Sequence, residues 1–215
     1  MLITGIRQTS PGRLTVGLDD GSEVKTTLGV VTDMRLYAGR ELDGEAVNAL
    51  KTASARALAR ERAIEYVSRR AMSRAELKKK LIEKGEDEDT AEYCAVWLAE
   101  HSLIDDERYA AAVARHYAAK GYGAGRVRAE LSRRGIDREL WDGAVGAMPA
   151  GDGKIDKFIS SRLHDPDDRD EVRKLSQALY RRGYSWEEIR SALERHRAEI
   201  FDDQQRGQQW TKALH

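Results

Sequence analysis

The chain has 215 residues, no formal net charge, 34% charged residues and 7% aromatics. That balance describes solvated helices around thin cores and excludes one large core. A single cysteine, Cys94, excludes an internal disulfide and a Cys-rich zinc site. No stretch is apolar for long enough to span a membrane, and Met1 to Arg7 lack the basic segment and apolar run of a signal peptide. A soluble, cytoplasmic protein is expected, with Cys94 buried on an apolar helix face.

Residues 1–45 are predicted to form a small β element. Leu14, Val16 and Leu18 alternate with polar positions or glycine, Asp19 to Ser22 supply a turn, and Val24, Thr26 and Leu28 alternate again, which is a hairpin pattern. Ile3 and Ile6 add a preceding strand through a Pro11-Gly12 turn. Because a lone hairpin is marginal, the sheet should rest on the first helices.

From Asp43 the apolar period becomes helical. Leu58, Ala59, Arg62, Ala63, Tyr66 and Val67 keep a 3-4 spacing that ends at Arg69-Arg70. Ser73-Arg-Ala-Glu76 is a capping box for a helix through Leu77 and Leu81 to Gly85, and Asp89-Thr-Ala-Glu92 opens the next through Cys94, Ala95 and Leu98. A second set starts at Asp105-Asp106 as an N-cap and passes Tyr109, Val113 and Tyr117 to Gly121. It resumes near Gly125, stops at Gly135, and from Asp137 carries Leu140, Trp141, Ala144 and Val145. A third set has Ile155, Phe158, Ile159 and Leu163, then Val172 to Gly183, then a capping box, Ser185-Trp-Glu-Glu188, before Ile189 and Leu193.

Three stretches share one pattern: Leu77 to Gly85, Val127 to Gly135 and Leu175 to Gly183. Their first and fifth residues are apolar, their ninth is glycine, and the glycines stand fifty and forty-eight residues apart. One helical unit is therefore used three times, each copy burying part of its apolar face against its neighbours. The expected fold is all-α: an elongated array of three tandem three-helix repeats (46–102, 103–150 and 151–200), with the β element ahead and a tail, 201–215, behind. Such an array offers a long surface and few deep clefts, which favours a binder of another extended object over an enzyme.

Ser73 to Gly85, then Leu103-Ile-Asp-Asp-Glu-Arg-Tyr-Ala110, then Leu131-Ser-Arg-Arg-Gly-Ile136 occur in that order. With these motifs the chain resembles the bacterial RecX family of recombination regulators across residues 55–200, most strongly across 64–140. The resemblance implies a protein that binds the filament of the RecA recombinase, lies in its groove and suppresses ATPase activity and strand exchange; an array lying there is expected to touch the DNA that the filament holds. Weak direct binding to DNA is expected beside the filament contact, as is a monomer with no membrane partner.

Charge is segregated although the total is zero. Residues 56–84 hold ten Lys or Arg against four Glu, and acid follows at Glu86 to Asp89. Lys78, Lys79 and Lys80 cannot all face the core that Leu77 and Leu81 enter. Basic residues also precede each repeat glycine: Lys84, Arg133 with Arg134, and Arg181 with Arg182. Together with Arg126 and Arg128 they form a candidate contact face for acidic RecA surface or DNA phosphate. The same residues could instead complement the negative ends of their helices, and sequence alone leaves both roles open.

Enzyme chemistry finds little support. His101, His116, His164, His196 and His215 are scattered without metal-ligand spacing, and no Gly-rich phosphate loop or nucleophile motif occurs. Asp105 and Asp106 read as helix caps before metal ligands. No catalytic residue, cofactor or metal is expected. The alternative function is a helix-turn-helix regulator of duplex DNA, since three-helix units with basic helices can dock in a major groove.

Overall fold

A computed structural model describes residues 1–149 and 153–213, with side chains as far as Asp202; His215, the expected repeat boundary at 150–151 and the side chains of the tail from residue 203 lie outside it. The chain forms two compact units, Met1–Asp105 and Asp106–His215.

In the first unit, β1 (Ile3–Ser10), β2 (Arg13–Leu18) and β3 (Glu23–Thr27) pair antiparallel in that order. Val16 stands opposite Ile6 on one side and Val24 on the other. Asp20 closes the second turn by accepting hydrogen bonds from the Ser22 amide and hydroxyl at 2.9 and 2.6 Å. The alternation of Val24, Thr26 and Leu28 predicted a strand reaching Leu28, but the strand stops one residue earlier. Thr27 caps a short helix, α1 (Leu28–Asp33), its hydroxyl accepting from the Val30 amide, and Leu28 is 57% exposed. A Thr N-cap ended the strand there.

Asp43 caps α2 (Gly44–Arg69), its carboxylate accepting from the Ala46 amide at 2.7 Å. This one helix serves two cores. Val47, Leu50 and Ala57 pack with Ile3, Val16, Leu18, Val24 and Leu42, while Ala59 and Ala63, further along, pack with Leu77, Leu81, Ala91, Cys94 and Leu98. A buried Ser54 to Thr26 hydroxyl bond of 2.8 Å satisfies the polar pair between helix and sheet. The first repeat is completed by α3 (Arg74–Glu83), opened by the Ser73/Glu76 capping box, and α4 (Glu88–Glu100). The cap of α4 is Asp87, which accepts from the Thr90 amide at 2.8 Å, two residues before the expected Asp89.

The second unit holds α5 (Asp106–Ala119), α6 (Ala124–Arg133), a 3₁₀ turn (Arg138–Leu140) running into α7 (Trp141–Gly146), α8 (Lys154–Ser160), α9 (Arg169–Arg181) and α10 (Trp186–Ala213). Their cores are separate. Val113, Val127, Leu131 and Ile136 build one, and Ile159, Leu163, Leu175, Leu179 and Ile189 the other. The expected box at Ser185 is present in both directions, at 2.7 and 3.2 Å. The helix it opens continues through most of what sequence set apart as a tail.

The repeat signature becomes one recurring turn. Leu81, Leu131 and Leu179 are each fully buried, and the carbonyl of each accepts from the amide five residues on, at 3.1, 3.0 and 3.3 Å. Gly85, Gly135 and Gly183 take φ of +95, +65 and +90°, the left-handed conformation that this closure of a helix end needs.

Candidate partner-binding surface

Because the three helices end in the same turn, Lys84, Arg134 and Arg182 occupy equivalent places, as do Arg133 and Arg181 one residue earlier; their surroundings differ. The side chains of Lys79, Lys84 and Arg181 are exposed and have no hydrogen-bond or ion-pair partner among the described residues. Arg126 is exposed beside Tyr122, 5.9 Å from the ring centroid. Lys78 is held by Glu88 and Glu92 at 3.1 and 2.9 Å, and these carboxylates, Glu92 first, raise its pKa. Lys80 lies 4.0 Å from the Tyr66 ring centroid, and Arg128 pairs with Asp142 at 3.1 Å.

Arg133 and Arg134 share a residue that charge patterning overlooked. Glu130 is buried one position before Leu131; Arg133 donates to it at 3.0 and 2.6 Å, and Arg134 at 2.8 Å. The Arg133 bonds, aided by Arg134, hold its carboxyl down to about 2 against the opposing cost of burial. Arg133 keeps most of its side chain in solvent, whereas Arg134 is largely covered and also donates to the Tyr109 hydroxyl.

Arg182 faces inward within the second unit. Its guanidinium donates to the Gly121 carbonyl at 3.3 Å and stands over Tyr122 and Phe158, 5.4 and 4.6 Å from their centroids. Around it, the amides of Gly123 and Gly125 donate to the carbonyls of Arg182 and Gly183 at 3.0 and 2.9 Å. Those contacts require glycine, since a Cβ at Gly123 would lie 2.5 Å from the Gly183 oxygen and one at Gly183 would overlap the Arg126 amide nitrogen. Arg126, Arg181 and Arg182 are thus brought to one region. The four lysines occupy α3 and its end in the other unit.

A second basic cluster was not singled out from sequence. On α2, Arg56 lies over the Tyr93 ring at 4.4 Å and Arg60 over Trp97 at 4.8 Å, and Trp97 stacks on His101 at 3.9 Å between centroids. Beneath them burial pushes the Cys94 thiol up to about 11, which keeps it protonated and unreactive. Asp105 precedes α5 and Asp106 begins it. Among the described residues, no group of three His, Cys, Asp or Glu side chains is placed to hold a metal ion, and no helix is long and apolar enough to cross a membrane.

Fold and surface together define a tandem three-helix-repeat protein with basic helix ends. Family models for the first, second and third three-helix domains of RecX match residues 59–96, 105–145 and 160–193. The regulatory protein RecX of Xanthomonas axonopodis pv. citri is 37% identical over 136 residues, 61% of this chain and 83% of that one. Those of Mycolicibacterium vanbaalenii and Vibrio vulnificus are 34% and 31% identical, over 59% and 61% of this chain and 76% and 88% of theirs. A crystal structure of a regulatory protein RecX superposes with a TM-score of 0.73 at 28% identity, covering 92% of this chain and 98% of the other. RecX from Lactobacillus salivarius shares the fold at a TM-score of 0.59 and 22% identity, over 68% of this chain and 99% of its own. The chain belongs to the RecX family.

Proposed function

We propose that this protein is a non-enzymatic negative regulator of the RecA recombinase: it binds the RecA–DNA filament along its groove and so hinders filament growth, ATP turnover and strand exchange. The observation that supports this most is the recurrence of one helix-ending turn in three repeats, each with an exposed basic side chain one or two residues before its glycine: Lys84, Arg133 and Arg181. A partner that is itself periodic can meet such a series, and phosphate or carboxylate groups on it would be attracted to the cations. Membership of a family whose relatives are regulatory proteins points the same way.

In this reading Lys79, Lys84, Arg126, Arg133 and Arg181 touch the filament. Lys78, Lys80, Arg128, Arg134 and Arg182 order the helices that present them. The working part is the set of repeats at 46–102, 103–150 and 151–200, acting as a monomer in the cytoplasm. The test is the ssDNA-dependent ATPase of RecA. Substoichiometric protein should slow it while hydrolysing no nucleotide itself, and an undiminished rate at excess protein overturns the proposal. A discrete footprint on duplex DNA without RecA would establish the helix-turn-helix alternative.

A further inference from the structure

The arginines of α2, together with Arg70 at its C-cap, fall into two groups. Arg62, Arg69 and Arg70 each have a carboxylate, on Glu86, Glu65 and Glu76 respectively. Arg56 and Arg60 have none among the described residues, in a chain with 37 acidic side chains for its 37 basic ones. Both are half-buried against aromatic rings. The Nε of Arg56 is closed off from solvent with no hydrogen-bond partner, while its two terminal nitrogens and all three nitrogens of Arg60 are not closed off. Seating a guanidinium on an aromatic ring limits its rotamers and leaves its fork of N–H donors ready for an oxyanion.

The two forks are one helical turn apart, about 6 Å along α2, and their rings repeat that spacing on α4. Both rings are partly buried against the core of the first repeat, and Trp97 carries both Arg60 and the stacked ring of His101, so the rings are already engaged by this chain's own side chains before any apolar group or base arrives. An interface with a protein draws its strength from anchors filling desolvated pockets, whereas contacts to a phosphate backbone need only placed cations.

We propose that Arg56 and Arg60, seated on Tyr93 and Trp97, form a site for successive phosphates of a nucleic-acid strand. The contact is to the backbone and therefore independent of sequence. It is distinct from the helix-end residues and requires no RecA, so its success or failure is separable from the filament reading.

The experiment is a titration of a fluorescent single-stranded oligonucleotide with the full chain, without RecA, across a series of salt concentrations. The parent should bind, and Arg56→Gln with Arg60→Gln should weaken binding about tenfold at low salt and flatten the log–log salt slope by about 1.4, the value for two lost single-strand contacts. Arg56→Lys with Arg60→Lys should keep the slope and lose part of the affinity, which also supplies a readout if the Gln pair melts below the assay temperature. Absence of binding by the parent overturns the site, as does a folded Gln pair with parental affinity and slope. A polyglutamate peptide that displaces the oligonucleotide at equal charge concentration would also overturn it, in favour of an acidic protein surface.

Discussion

Gly85 and Gly183 end their helices in the same left-handed turn, yet one stands in open space and the other is wedged against the backbone of a neighbouring repeat. Nothing lies within 4 Å of a Cβ built on Gly85, while one on Gly183 would overlap Arg126. The basic residues before them diverge accordingly: Lys84 is exposed and Arg182 closes over Tyr122 and Phe158. Local sequence decides that the helix stops; packing decides whether the cation beside the stop is a contact or a clamp.

The sharpest way to break this comparison is to give both glycines a side chain. Gly85→Ala carries only the strain of the left-handed backbone and should cost about 1–2 kcal/mol. Gly183→Ala adds steric overlap with a backbone that cannot swing away, and should cost about 3–6 kcal/mol. Urea unfolding of the two variants measures the gap, and equal losses would mean that the second and third repeats do not touch at this turn.

A middle-sized effect comes from the position just before the buried leucine that ends each signature's apolar pair, which is Lys80, Glu130 and Ala178 in the three repeats. Only the second repeat carries a buried carboxylate there. Its pKa in the folded state is about 2, below the ordinary 4.5, so its contribution is complete above the ordinary value and is lost as pH falls through the folded one. Glu130→Gln should cost about 2–3 kcal/mol at neutral pH by leaving two arginines short of an acceptor. It should also flatten the loss of stability between about pH 5 and pH 2, read from melts across that range. An unchanged acid profile would show that other carboxylates set it.

The smallest effects separate contact from clamp. Arg182→Gln should lower stability by about 1 kcal/mol or somewhat more through its lost hydrogen bond and ring contacts. Lys84→Gln and Lys79→Gln should leave melting within about 0.5 kcal/mol of the parent while weakening inhibition of RecA ATPase. Variants of Lys84 that melt early and inhibit normally would assign it to the helix end alone.

Legibility in the sequence follows the range of the interaction. The apolar pairs, repeat glycines and Ser73 and Ser185 boxes are set by residues three to five apart, so the pattern names them directly. Competition among neighbouring caps is harder to read: Thr27 against a continuing strand, or Asp87 against Asp89, turns on which side chain reaches an amide first. The pairing of Arg56 with Tyr93 and of Arg60 with Trp97 spans two helices that only tertiary packing brings together. Glu130 is hidden for another reason. A glutamate on a basic helix looks solvated until its depth is known, although two arginines three and four residues later are the spacing that could have exposed it.

The 26 residues of α2, about 39 Å of continuous helix, carry the sheet's core at one end and the first repeat's at the other. Mechanically that makes the β element a lever welded to the repeat, with no hinge between Ala57 and Ala59 to let one turn without the other. A probe fixed to the sheet would therefore report the orientation of the first repeat, and a load applied there would be transmitted to it.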